Sequence, residues 1–377
     1  MLAQKPPMGW NSWNTFASDI NEKLIMEIAD TMVNEGYQKA GYEYVIIDDC
    51  WSLKQRVDGK LVADPKLFPH GLKYLSDYIH AKGLKFGMYS CAGFRTCAGY
   101  PSSYGHEFED AEQFAQWGVD YLKYDFCNFP KSGDTKNAYL TMAMALKNCG
   151  RDILFAACNW GAENPSEWMR SHGAHTYRST GDIFDTPKSY KDIFKSQVEN
   201  IENNAPGCYN DLDMLITGMH GKGNVGLQGC SDIQYLQHFA MWAFMGSPLI
   251  IGADIRNIDA VNKRTLTNAG LIAINQDEEC RPAFCVANDG QLYTMMKLLK
   301  NGRIALGLFN INEKNDKNVG TKIYVSFDDL GIHSESGRAV KLTNAVTHEA
   351  LGTFKDGGIF EVKPDECKIL IGEIING

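Results

Sequence analysis

The sequence is short of the residues and spacings that organise metal and nucleic-acid chemistry. It has no CxxC pair and no HExxH, and its 9 histidines are scattered singly. Neither a structural nor a catalytic zinc site is expected, and no cofactor is implied. No Ser-His-Asp signature and no Gly-rich phosphate loop is recognised. Positive charge is outnumbered: 37 Lys and Arg stand against 46 Asp and Glu, a net charge of −9. That balance repels phosphate backbones and anionic headgroups, and argues against nucleic-acid or membrane partners. It speaks for solubility and not for any oligomeric state. No run approaches ~18 consecutive apolar residues, and MLAQKPPMGW has no basic region ahead of an apolar stretch. The expectation is therefore a cytoplasmic chain, secreted only if a leader preceded it. The 11 cysteines lack the dense spacing of a small secreted disulfide scaffold, so most are expected to be reduced and buried.

What the chain does have is apolar material for a core, at 44% hydrophobic and 22% charged residues. Short apolar runs, YEYVIIDD, LKFGMYS, VDYLKYD, DILFAAC, HTYRS, DMLITG (213–218) and SPLIIGAD, punctuate the first 280 residues. Between them lie windows such as NEKLIMEIADTMVNEGY, FPHGLKYLSDYIHAKG and FEDAEQFAQWG, with apolar residues at i, i+3, i+4 and i+7. Strand and helix alternating about eight times, with PPMGWNSW as a first strand, predicts a closed (β/α)8 TIM barrel; an open doubly wound sheet is the alternative. From about Asn275 the texture changes. QLYTMMKLL, GRIALGLFN, TKIYVSFD, AVKLTNAV and ECKILIGEI alternate apolar and polar residues between NDG, KNG and KDGG turn signals. These predict a C-terminal antiparallel β-sandwich, with domains at 1–278 and 279–377.

In such a barrel the chemistry sits at the C-terminal ends of the strands, and unusual polar residues do gather there. In order they are Trp13; Asp48, Asp49 and Trp51; Tyr89 and Ser90; Lys123, Asp125 and Cys127; Cys158, Asn159 and Trp160; Arg178 with Asp182; Asp211 and Asp213; and Asp254. Carboxylates and aromatics with one Lys and one Arg suit a carbohydrate: aromatic faces cover the sugar ring, and charged groups take its hydroxyls. Two carboxylates on facing strands can then divide glycosidic cleavage between nucleophile and acid/base. Each residue also has a local reading. Asp48 and Asp49 can cap a loop, Asp125 can pair with Lys123, Asp182 or more readily Asp185 can cap a helix, and Trp13, Trp51 and Trp160 can fill a core. Their recurrence at successive strand ends favours a site.

The ordered motifs PPMGWNSWN, IIDDCW, GMYSCAG with TCAGYPSSYGHE, KYDFC, CNWGAENPSEW, RSTGDI, YNDLDML and SPLIIGADI resemble glycoside hydrolase family 27, the α-galactosidases and α-N-acetylgalactosaminidases, over essentially the whole chain. The resemblance implies a retaining exo-glycosidase acting on a small or oligosaccharide α-galactoside, with Asp125 as nucleophile and Asp182 as acid/base. It places Trp13, Asp48, Asp49, Tyr89, Lys123, Arg178 and Asp213 around the sugar, the Asp48 and Asp49 pair taking the C4 and C6 hydroxyls. It also implies a Cys97–Cys127 disulfide beside the subsite. After strand five, Asn159 and Trp160 match the polar residue and Trp that close over the C2 hydroxyl in galactosidases, which crowds an acetamido group. α-N-Acetylgalactosamine, β-L-arabinopyranose or isomaltose units are the alternative substrates, and a non-catalytic carbohydrate-binding barrel need not keep both Asp125 and Asp182. Burial and neighbouring negative charges are expected to favour the proton on Asp182, with Lys123 and Arg178 opposing. Two family bridges lack partners here, since TFASDI offers none to Cys50 and no cysteine stands just before Arg178 to pair with Cys158. INQDEECRPA departs from the family's INQDPLG at the domain junction.

Overall fold

The apolar runs of the first 250 residues become eight parallel strands in a curled sheet: β1 (Met8–Asn11), β2 (Tyr44–Ile46), β3 (Lys85–Cys91), β4 (Tyr121–Asp125), β5 (Leu154–Cys158), β6 (Thr176–Arg178), β7 (Tyr209–Asp211) and β8 (Leu249–Ile251). The structure is a computed structural model that describes residues 2–313 and 319–377. The strand order is β7-β6-β5-β4-β3-β2-β1-β8. The ring closes through Leu215, whose N–H donates to Ile250 O at 2.7 Å while its carbonyl accepts from Gly252 N–H at 2.9 Å. That closure selects the barrel over the open sheet. Inward-facing Tyr44, Ile46, Tyr121, Leu154, Ala156, Met214 and Ile250 fill the interior, so the barrel is a packed core and not a pore.

Two elements differ from the sequence pattern. Strand seven is the polar Tyr209–Asp211 and not DMLITG. Asp213 takes φ +81, which breaks the extended chain, and the apolar run beyond it pairs only through a single Leu215–Ile251 bridge. The β5–β6 crossover has no α-helix, only a 3-10 turn at Pro165–Glu167; Gly161, Pro165 and Gly173 punctuate this stretch. Elsewhere the amphipathic windows are helices with side-chain caps where the sequence offers them. Asn21 accepts from Leu24 N–H ahead of Glu22–Asn34, and Asp134 from Asn137 N–H ahead of Thr135–Asn148. Neither Asp182 nor Asp185 caps a helix: Thr186 does so for Pro187–Gln197.

The helix Asp232–Met245 is buried on nearly every side, because the barrel covers one face and the C-terminal domain the other. Gln237 Nε2 donates to Asn310 O (3.0 Å) and Glu366 O (2.8 Å), and Phe244 meets Phe309 edge-on at 5.6 Å. The chain leaves its last barrel-side helix at Asn275 and enters β9 (Phe284–Asn288). There follow β10 (Leu292–Leu299), β11 (Arg303–Asn310), β12 (Thr321–Ser326), β13 (Arg338–Asn344), β14 (Ala350–Phe354), β15 (Gly357–Val362) and β16 (Cys367–Asn376). They form a six-stranded sheet, β14-β13-β16-β11-β10-β9, and a two-stranded one, β12-β15. Leu306, Leu308, Phe327, Val340, Leu342, Phe360 and Leu370 are buried in one cluster of this domain. NDG and KNG close hairpins as their turn chemistry predicts, whereas KDGG carries the chain from one sheet to the other.

Lys297 on β10 is fully buried, and among the described residues its Nζ reaches only Ala243 O, at 3.5 Å. Burial brings its pKa down from 10.5 to about 8, with Cys280 and Asp277 pulling the other way. The unfolded chain therefore binds more protons between those values, and stability rises with pH across that window. At ~1.4 kcal/mol for each tenfold change in proton affinity, the buried ammonium costs about 3 kcal/mol at pH 7. Lys297→Met is expected to raise the urea midpoint at pH 7 and to flatten the rise between pH 8 and 10. An unchanged pH slope would show that the lysine is not the source.

Candidate active site

A cavity of about 270 Å³ opens at the C-terminal ends of the strands. It is at the small end of the range for ligand pockets, and the filled barrel interior below makes it blind. Trp13, Asp48, Asp49, Tyr89, Cys97, Lys123, Asp125, Trp160, Arg178, Asp182 and Asp213 all line it. Residues from seven strand ends, far apart in sequence, thus meet in one place.

The floor is built on β2, β3 and β4. Alternation along β4 sends Lys123 and Asp125 inward, while Tyr124 packs outward against Tyr139 and Phe155. Asp125 Oδ2 accepts from the Tyr89 hydroxyl and Oδ1 from Phe126 N–H, both at 2.9 Å. Burial raises its pKa, and the Lys123 ammonium and the Phe126 N–H draw it back. Burial is the largest single influence on Lys123 and would strip its proton, but Asp48, 2.8 Å away, together with Cys158 and Asp125 outweighs it and the pKa is held well above the usual lysine value. The lysine is thus a fixed cation between two carboxylates. Asp48 Oδ2 also accepts from Asn11 Nδ2 at 2.8 Å. Both local carboxylate caps exist as well: Asp48 Oδ1 accepts from Asp49 N–H and Asp49 Oδ1 from Cys50 N–H. Asp49 Oδ2 takes the N–H of Ala98 at 2.9 Å. Burial raises Asp49, and these backbone donors oppose it. The pair thus both caps its own loop and lines the cavity.

The rim is built on β6 and β7. Arg178, almost fully buried, joins Asp213 (2.6 Å) and Asp182 (2.8 Å) through one nitrogen, Nη2. Asp213 also accepts from Ile183 N–H at 2.8 Å and Met214 N–H at 2.7 Å. Burial pushes its pKa up and Arg178 pulls it down. Asp182 differs from every other carboxylate here: its side chain is 62% exposed. The burial expected of it is therefore absent in the open site, and the arginine is its close partner.

Cys97 and Cys127 form the expected disulfide, with Cα atoms 5.0 Å apart. Cys97 Sγ lies 3.6 Å from Asp125 Oδ2, whereas Cys127 stands behind the wall and acts through its partner. Cys50 and Cys158 are unpaired, as their missing partners predict. Asn159 does not face the cavity. It is buried, its Nδ2 donates to Ala162 O at 2.6 Å, and its Oδ1 has no hydrogen-bond partner among the described residues. Trp160, in the left-handed region at φ +56, supplies this wall and meets Phe126 edge-on at 6.0 Å. Gly161 behind it is required, since a Cβ there would fall 2.4 Å from Ser179 O. Two further strand-end residues play other parts. Asp254 is tied to Arg256 and Asn257, and Trp51 is a core aromatic that donates to Tyr89 O.

Asn14, Cys158, Phe184, Met214, Asn224 and Val225 complete the lining. Asn224 and Val225 were silent in the sequence because they sit in GKGNVG (221–226), a run without charged carboxylates or aromatics. That run has the G-x-G-x-x-G spacing of a phosphate loop, against the expectation that the sequence holds none. Its glycines serve close packing: a Cβ at Gly223 would lie 2.7 Å from Thr15 Cα, and one at Gly226 2.4 Å from Gly221 O. Among the described residues two groups have metal-ligand types near one another. One is the disulfide pair with Asp125, whose sulfurs are spent on each other. The other is His220, Asp232 and Asp259 at the surface, where Asn262 Nδ2 donates to both carboxylates.

A blind, carboxylate-rich pocket with an aromatic wall at the mouth of a (β/α)8 barrel, backed by an antiparallel β domain, defines a glycoside hydrolase. A family model described as Alpha galactosidase A matches residues 5–277. The chain is 40% identical to the α-galactosidase A of Cellvibrio japonicus, with 88% of this chain and 82% of that protein aligned. The crystal structure of α-galactosidase I from Mortierella vinacea superposes with a TM-score of 0.91 at 32% identity, covering 98% of this chain and 97% of that one. The α-galactosidase of Saccharomyces cerevisiae with raffinose superposes at 0.87, with 28% identity over 99% and 98%. The chain belongs to this α-galactosidase family, glycoside hydrolase family 27, and is an enzyme of that class.

Proposed function

We propose that the enzyme removes terminal non-reducing α-D-galactosyl residues by a retaining double displacement. The contrast between its two key carboxylates carries the reading: Asp125 is buried and oriented on the floor, and Asp182 is exposed on the rim beside Arg178. Asp125 attacks the anomeric carbon while protonated Asp182 gives its proton to the departing oxygen, leaving a β-linked galactosyl-enzyme. Asp182, now ionised, takes a proton from water as the hydroxyl attacks the same carbon, and α-galactose and free Asp125 result. Asp48 and Asp49 retain acceptor capacity for the C4 and C6 hydroxyls, and the charge they carry strengthens those hydrogen bonds. A blind pocket with room for one ring supports exo action. Trp160, seated by the tight Gly161 turn, supports galactose over its bulkier 2-acetamido derivative. The raffinose held by the yeast relative supports an oligosaccharide galactoside as substrate.

Proton NMR of an aryl α-galactoside digest tests this. α-Galactose is expected as the first product, mutarotating later to the β anomer. On p-nitrophenyl glycosides, kcat/KM for α-galactoside is expected to exceed that for α-N-acetylgalactosaminide by about 10²-fold or more, since the wall must shift to admit the acetamido group. β-Galactose appearing first would overturn retention. A preference for the acetamido sugar, β-L-arabinopyranoside or isomaltose would overturn the substrate.

A further inference from the structure

The acid/base candidate sits on a segment, 182–186, that lies beyond the end of β6. We propose that Asp185 and Tyr235 are a positioning pair that locks this segment to the loop 218–230, and so fixes where Asp182 meets the leaving group. The inference rests on the role proposed above for Asp182.

Asp185 is fully buried. Its carboxylate accepts from the Tyr235 hydroxyl (2.9 Å to Oδ1, 3.0 Å to Oδ2) and from Gly221 N–H at 2.6 Å. Its backbone N–H donates to Val225 O and its carbonyl accepts from Gly229 N–H, each at 3.0 Å. The Tyr235 oxygen in turn accepts from His220 N–H at 2.7 Å and Cys230 N–H at 3.3 Å. One carboxylate and one phenol therefore hold the loop near both of its ends, while the backbone of Asp185 holds Val225 in its middle and Gly229 close to its end. Tyr235 is rigidly mounted: it belongs to the buried helix Asp232–Met245, which starts with a Ser231–Gln234 capping box. On its far side the loop donates from Asn224 and Val225 N–H to the carbonyls of Thr15 and Asn14 (3.2 and 3.1 Å). Gly221, Gly223 and Gly226 pack too closely against backbone atoms to admit a Cβ.

The acid segment is thus tethered in front by Arg178 and by the Ile183–Asp213 bond, and behind by Asp185. Because the Asp182 side chain is largely in water, its placement is set by its backbone and by Arg178, not by packing. A shift of about 1 Å in a reacting group can cost as much as 10²-fold in rate. An error in the acid matters only when the leaving oxygen needs a proton.

That last point gives a test that loss of fold cannot imitate. Asp185→Asn and Tyr235→Phe are assayed on melibiose, whose leaving group needs protonation, and on α-galactosyl fluoride, whose leaving group does not. kcat/KM is the readout, because it reports steps up to cleavage of the glycosidic bond. For both variants we expect a 10- to 100-fold loss on melibiose, a change within threefold on the fluoride, and an unchanged inhibition constant for galactose. Equal losses on the two substrates, no loss on either, or a loss confined to the fluoride would overturn the pairing. If Asp185→Asn does not fold, Tyr235→Phe, which keeps the ring in place, decides the matter. Failure of the underlying assignment is separately visible, as Asp182→Ala without any leaving-group dependence.

Discussion

Replacing Asp125 with glycine is expected to lower hydrolysis of an aryl α-galactoside by roughly 10⁴-fold or more, the scale seen when a covalent catalyst loses its nucleophile. Azide is expected to restore turnover, with β-galactosyl azide as the product. The geometry leads to both halves. The carboxylate is buried on the floor, held by Tyr89 and Phe126 at 2.9 Å, and adjacent to a lysine that is paired with Asp48. Removing it opens a small polar space on the β face of the sugar site. An anion the size of azide can enter beside Lys123 and attack the α-linked carbon directly, so the configuration inverts once. The rest of the floor should survive, because Lys123 keeps its 2.8 Å partner and Tyr89 stays buried in the core. Undiminished activity in the variant, or α-galactosyl azide as the product, would sink the nucleophile assignment.

Much of this site was legible in the sequence, for a physical reason. In a (β/α)8 barrel the chemistry is confined to strand ends, so KYDFC, IIDDCW and RSTGDI could be located from the apolar runs ahead of them. What could not be read was direction and tertiary contact. Asn159 follows Cys158 at the right place, but the turn that puts Trp160 at φ +56 and presses Gly161 on Ser179 rotates the amide away from the pocket. Strand seven was displaced because DMLITG is apolar and its Leu215 does close the ring, but only beyond the kink at Asp213. β14 is largely exposed and offered no apolar alternation. Asp185 looked like a helix cap because Asp in a turn ahead of a helix usually is one. Its actual partners, Gly221 and Tyr235, lie 36 and 50 residues away, beyond the reach of any local pattern.

Alanine at Asp182 is expected to separate substrates where the change at Asp125 does not. General acid catalysis of this kind contributes about 10²–10⁴-fold, and only where the leaving oxygen is basic. kcat/KM on melibiose should therefore fall by that amount, while on 2,4-dinitrophenyl α-galactoside it should stay within a few fold. The second step loses its base on every substrate, so the galactosyl-enzyme accumulates and kcat falls for both. Azide needs no base and can relieve that step. It attacks the β-linked galactosyl-enzyme from the α face, so the product is α-galactosyl azide, the opposite anomer to that from Asp125→Gly. The high-pH limb of the melibiose profile, which reports loss of the acid's proton, should vanish with the residue. Arg178 remains anchored to Asp213 at 2.6 Å, so the variant should fold and bind galactose as before. Equal losses on the two leaving groups, or an intact high-pH limb, would place the acid elsewhere on the rim. The pair of azide products, β from one variant and α from the other, requires two inversions at one carbon in the native enzyme, the first making the bond to Asp125 and the second breaking it.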